Sequence, residues 1–242
     1  MYRFALRPRW IVTHAFIVVI AGLCALAGFW QLNRLADRRT HIASVLEKRS
    51  LPVASIADVL DDPDASVHRR VRAVGRYDTG REVVLIGRPN EGRPGNHVLT
   101  PLVIPGGRAV VVDRGWVPSE FDSPRDAGAI PPGGEVEVTG ILLPSEGGGP
   151  LGNSKSGDSV ARIHVEGLSQ SLPYRTLPHY LALSTQDPDQ AGEIPDPVTL
   201  AELGEGSHRI YAIQWFLFIV IGLVGYAAIL RREARKKVTA HA

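Results

Sequence analysis

Charged residues vanish from the chain twice. From Trp10 to Phe29 only Thr13 and His14 interrupt an apolar run, and from Ile210 to Leu230 no charge occurs. Either run, as a helix, reaches about 30 Å, the thickness of a hydrocarbon core. A lone segment crosses lipid only as a helix, because lipid offers free backbone N–H and C=O groups no partner. The pattern therefore predicts transmembrane helices over 10–30 and 210–230. Leu32, Leu35, Ile42, Val45 and Leu46 then recur at helical spacing, which predicts a helical entry over 31–49 beyond the bilayer. Pro52 ends it. Ala25-Leu26-Ala27 has the form of a signal cleavage site, but the length of the apolar run favours a retained anchor.

From His68 the period changes to two. Val67–Tyr77, Glu82–Ile86, Asn96–Ile104, Arg108–Asp113 and Glu135–Leu143 are rich in β-branched residues and separated by Gly/Pro punctuation. Ala161–Val165 alternates in the same way, and Leu177–Ser184 reads as one more strand. Two transmembrane α-helices thus flank a mainly-β domain over 31–209. Its strand spacing predicts a small antiparallel barrel or sandwich, with an OB-like barrel as the specific guess. Glu146–Gly157 reads as a flexible loop, and 186–206, rich in proline and glycine, as the linker back to the second span.

Charge decides the orientation. Arg231, Arg232, Arg235, Lys236 and Lys237 follow the second span at once, against Arg209 on its other side. This places the basic tail, 231–242, and the short N-terminus, 1–9, in the cytoplasm and the domain outside. Arg34, Arg38 and Arg39 oppose this reading at the first span, and the second span outweighs them. The net charge of +2 hides basic tails and a middle that is net acidic, so a nucleic-acid face is not indicated.

Cysteine and histidine usage removes several chemistries. Cys24 is the only cysteine and lies in the first apolar run, which excludes an intrachain disulfide and Cys-x-x-Cys redox chemistry. Met1 is the only methionine, so the domain lacks the soft ligands of a copper carrier. The eight histidines are scattered, without zinc spacing. No Gly-x-Ser-x-Gly elbow or phosphate loop is present, and an enzyme is not expected. Asp113-Arg114-Gly115-Trp116-Val117-Pro118 reads as a turn closing a buried strand, with Asp113 paired to Arg114 or a neighbour. Arg69, Arg70, Arg72 and Arg76 form a basic run, read as a solvated strand face or as a contact for lipid phosphates or an acidic partner.

One place gathers polar and aromatic groups from distant parts of the chain. His208, Tyr211, Trp215 and Phe218 lie on one helical stripe. A hairpin of the two spans brings Trp30, Gln31 and Arg34 near His208, Tyr211 and Gln214. Small residues, Ala21, Ala25 and Gly28 against Gly222 and Gly225, would let the helices approach. An interfacial aromatic belt and a site for a flat, greasy ligand both fit this stripe.

The chain resembles the surfeit locus protein 1 family of cytochrome c oxidase assembly factors, through five motifs in order over nearly its whole length. They are Gly28-Phe29-Trp30-Gln31-Leu32 with Arg34, Arg70–Tyr77, Gly95–Leu102, Val112–Pro118 and His208–Phe216. The resemblance implies a two-pass protein that aids maturation of oxidase subunit I and transiently holds haem a for insertion. His208 maps to the family histidine proposed as haem ligand, with Tyr211, Gln214, Trp215 and Trp30 around it; no other metal site is implied. Gln31, Arg34, Arg114, Gly115 and Trp116 fall in the remaining motifs as structural or partner residues. The implied partners are subunit I, haem A synthase and the lipid bilayer, with no nucleic acid. The alternative is a non-haem assembly scaffold or accessory subunit that grips the oxidase. A third reading, an oligonucleotide- or oligosaccharide-binding barrel, rests on fold alone. The absence of a mitochondrial-type presequence points to a bacterial plasma membrane.

Overall fold

A computed structural model describes residues 3–121, 130–147, 159–190, 192–200 and 202–239. After a 3-10 turn at Arg3–Leu6, the elements are α1 (Pro8–Ser50), β1 (Ala54–Ser55), α2 (Ile56–Val59), β2 (Arg70–Tyr77), β3 (Val83–Leu85), β4 (Gly95–Ile104), β5 (Arg108–Pro118), β6 (Val136–Pro144), β7 (Ser159–Val160), α3 (Val165–Ser169), β8 (Arg175–Asp187) and α4 (His208–Thr239). They form two units: residues 1–44 with 202–242, and residues 45–201.

The first unit is a pair of antiparallel helices. Both are long and apolar enough to cross a membrane. They pack closely at Gly28, where an added Cβ would stand 2.8 Å from Phe216 Cζ. Phe29 packs edge-on against Phe216, centroids 5.5 Å apart. Gly222 and Gly225 have nothing within 4 Å of an added Cβ, so close approach uses the glycine of α1 and not those of α4. At the far end the Tyr226 hydroxyl donates to His14 Nδ1, and His14 Nε2 donates to the Ala5 carbonyl at 3.2 Å. His14 thus serves the hairpin itself, as expected of a polar side chain that must find a partner between apolar helices.

The second unit is an eight-stranded mixed sheet, in the order β1-β2-β6-β8-β5-β4-β3-β7, with a short further pairing of β2 with β4. The expected small antiparallel barrel or sandwich is corrected here. β5 and β8 run parallel, as do β1 with β2 and β3 with β7. Alternation shows which residues share a face, and strand order and direction leave no mark on it. The central strands read as unbroken apolar runs because both their faces are covered. Val110, Val112, Leu181 and Leu183 enter one core with Val71 and Val138. Val111, Tyr180 and Ala182 enter a second, beneath Ile163, Val165 and Leu200.

Three boundaries differ from the expectation. β5 runs on to Pro118, so the stretch read as a turn stays in the strand. Gly115 holds φ +127 there, and an added Cβ would lie 1.9 Å from the Asp196 carbonyl oxygen. Ala161–Ile163 forms no ladder strand; β7 precedes it and α3 begins at Val165. The 186–206 stretch begins inside β8 and then packs: Trp116 and Asp196 exchange two backbone hydrogen bonds of 2.8 Å, and Val198 and Leu200 lie on the second core. Of the loop predicted over 146–157, residues 148–157 lie outside the described residues.

Candidate functional site

The start of α4 is held against α1 by three polar links. Arg38 Nε donates to the Gly204 carbonyl at 3.0 Å. Arg39 grips the Glu205 carboxylate through Nε at 2.7 Å and Nη2 at 3.0 Å. This fork holds the Glu205 carboxyl below the ordinary range, first through its hydrogen bonds. His208, the first residue of α4, donates from Nδ1 to Gln31 Oε1 at 2.9 Å.

The Gln31 link fixes the chemistry of the imidazole. An amide oxygen accepts only from a protonated nitrogen, so Nδ1 carries a hydrogen and Nε2 is the ring nitrogen left for another partner. Nε2 has no hydrogen-bond partner among the described residues. Gly206 leaves room beside it: an added Cβ there would lie 3.8 Å from Nε2. A histidine oriented through one nitrogen and open at the other has the arrangement of a metal-ligating histidine.

The aromatic residues around it are less tightly gathered than predicted. Tyr211 and Trp30 are about half exposed, at 48% and 54%. Arg34 stands over the Trp30 ring at 5.7 Å. Trp215 packs edge-on with Phe218 at 5.8 Å. Among the described residues no ring contact or hydrogen bond joins Trp30, Tyr211, Gln214 or Trp215 to His208. The site is therefore the His208–Gln31 pair with open aromatic surface on its own helices.

Arg114, Gly115 and Trp116 belong to the other unit and build a different constellation. Arg114 Nη1 donates to Glu82 Oε2 at 3.0 Å, with the two side chains 1% and 2% exposed. Thr100 donates to the same oxygen in a short hydrogen bond. Arg114 Nη2 donates to Gln190 at 2.7 Å, and its guanidinium lies 5.5 Å from the Tyr77 ring centroid. The Tyr77 hydroxyl donates to Gln186 at 3.0 Å. Arg114, Gln186 and Gln190 border a cavity of about 170 Å³ with Leu183, Pro195 and Pro197. Burial pushes the Glu82 carboxyl up and the Arg114 guanidinium down, each against the pull of its partner. The network pairs the Arg114 and Glu82 charges and ties in the Thr100 hydroxyl.

Asp113 pairs not with Arg114 but with His97, whose Nδ1 lies 2.9 Å from Oδ2. Gly115 N–H also donates to Asp113, at 3.2 Å. Trp116 is buried, with the Arg93 guanidinium 4.5 Å from its ring centroid. Sequence reasoning missed Glu82, Thr100 and Tyr226 as partners. Glu82 directly precedes the short apolar strand β3, and beside Arg81 it reads as an ordinary loop residue.

Comparison with known proteins supplies a family. The model described as the SURF1 family matches residues 18–220. An uncharacterised SURF1-like protein of Mycobacterium bovis is 26% identical, over 97% of this chain and 89% of its own length. A SURF1-like protein of Rickettsia felis is 23% identical, over 91% of this chain and 97% of its own. One of Rickettsia bellii is also 23% identical, over 94% and 92%.

Proposed function

The chain belongs to the SURF1 family, known for cytochrome c oxidase assembly factors, and we propose that it holds haem a at the outer membrane face and passes it to oxidase subunit I. Haem a is the cargo, received from haem A synthase, and the protein performs no catalytic turnover. The observation that carries this reading is His208, oriented by Gln31 through Nδ1, with Nε2 open. A neutral imidazole is an axial ligand for haem iron. Exposed Tyr211 and Trp30 offer apolar area for a macrocycle near the lipid boundary.

Orientation follows from charge. Arg231, Arg232, Arg235 and Lys236 at the end of α4 belong in the cytoplasm of a bacterial plasma membrane, which puts His208 and the domain outside.

The test is an absorption spectrum of the purified protein after co-expression with a haem a source, beside His208→Ala and Gln31→Leu. A haem a band in the parent, lost or shifted in His208→Ala and weakened in Gln31→Leu, is expected. No band in the parent, under conditions that load a known haem a protein, would leave the non-haem scaffold or accessory subunit in its place. A band unchanged in His208→Ala would move the ligand elsewhere.

A further inference from the structure

β2 alternates strictly between core and solvent. Val71, Ala73 and Gly75 are buried, while Arg70, Arg72, Val74 and Arg76 face out. Alternate residues on a strand stand roughly 6.6 Å apart, so three guanidiniums and one valine make a stripe about 20 Å long. Arg72 meets Glu137 of β6 at 3.3 Å. Arg70 and Arg76 have no ion pair or hydrogen bond among the described residues. On the β6 side Glu137 lies across from Val74, and exposed Asp187 of β8 lies across from Glu137; on the other side Ser55 of β1 lies across from Arg72, followed by exposed Asp58 of α2. Cations stacked on one strand face repel one another, so leaving two unpaired costs stability unless something else meets them.

The other side of the stripe is not flat. Arg72 and Val74 form one wall of an apolar groove of about 260 Å³, completed by Ile56 and Leu60 around α2 and by Ile104 and Pro105 after β4. It has room for one large apolar side chain. Val74 is 37% exposed at its edge.

We propose that the outer face of β2 docks an extended acidic segment of another protein, with carboxylates at alternate positions opposite Arg70, Arg72 and Arg76 and one apolar side chain in the groove beside Val74. Charge complementarity and matched spacing argue for it, because an extended chain repeats its side chains at the same interval as β2. A second copy of this chain does not fit, since an isologous pairing would set the same arginines against each other. A bilayer surface supplies anions but no side chain to fill a concavity. This proposal is independent of haem binding.

The probe is a fluorescein-labelled heptapeptide with glutamate at its first, third and seventh positions, leucine at the fifth and threonine between. Binding to the full chain in detergent micelles is followed by fluorescence anisotropy. Saturable binding that weakens with added salt is expected, with a loss of about tenfold or more in Arg70→Glu/Arg76→Glu. Replacing the peptide's glutamates by lysine should abolish binding, and replacing its leucine by glycine should weaken it. These peptide changes leave the protein untouched, so a misfolded variant cannot imitate them. A peptide that stays free, or binds the double variant as tightly as the parent, overturns the proposal. Arginine-dependent capture of phosphatidylglycerol vesicles without peptide binding also overturns it, and assigns the stripe to lipid.

Discussion

In the helical unit the exposed surface is isoleucine, valine, leucine and phenylalanine, and the hydrogen-bonding side chains His14, Gln31, His208 and Tyr226 sit where the helices meet. In the domain the arrangement is inverted: valine and leucine fill the inside, arginine covers β2, and one ion pair lies within. The difference lies in what each must offset. Between two helices apolar enough to cross a membrane a polar group has few partners to choose from, so single pairs suffice and each contributes little. Inside the domain Glu82 and Arg114 give up full hydration, and only a connected network makes their burial tolerable.

The sharpest test of this contrast is Arg114→Met. It leaves the Glu82 carboxylate buried without a counter-charge, at an expected loss of about 3–5 kcal/mol. Urea unfolding followed by near-UV circular dichroism reads it. The combined Glu82→Leu/Arg114→Met variant should recover most of the loss, and failure to recover would show that the pair does more than balance itself. The deficit should also shrink as pH falls. Burial already raises the Glu82 carboxyl, so the folded state holds a proton that the unfolded chain releases; stability gained this way is complete below the ordinary carboxylate pKa and is lost as pH rises through the raised one.

The helical unit was legible in the sequence because a helix long and apolar enough to cross a membrane follows one rule at every residue. The absence of charge from Ile210 to Leu230 states that rule directly. The strands were legible for a similar reason, since Arg70 to Gly75 alternates as a half-buried strand must. The parallel pairing of β5 with β8 was not, because alternation records faces and is silent on neighbours. Nor was the partner of Arg114: Glu82 lies on the connection into another strand, and only the folded sheet brings them together. Asp113 shows the same limit. Its sequence neighbour is Arg114, but successive side chains on a strand point to opposite faces, and its partner is His97 on β4. His208 and Gln31 were expected to converge and do, because a hairpin of two spans leaves their helix ends few other places to go.

Two milder changes probe the helical side. Gly28→Leu drives a side chain into the Phe216 ring and should cost about 1–3 kcal/mol of helix pairing, measured by cysteine cross-linking across the helix pair in detergent. An unchanged cross-linking yield would mean that the close approach at Gly28 is not needed. Tyr226→Phe removes only the hydroxyl on His14, at about 0.6 kcal/mol. Its effect in the same assay should be smaller than that of Gly28→Leu, and a loss as large as that of Gly28→Leu would show that this one pair contributes more than a lone hydrogen bond between helices.

His14 and Gln31 stand roughly 26 Å apart along α1, and their partners Tyr226 and His208 stand about as far apart along α4. Two fixed points on each of two rods make a gauge with a single setting. Sliding α4 by one helical turn, about 5.4 Å, would break both pairs in the same step, so partial slippage gains nothing. The height at which His208 stands is thereby set from the opposite end of the hairpin, by a tyrosine that never comes near it.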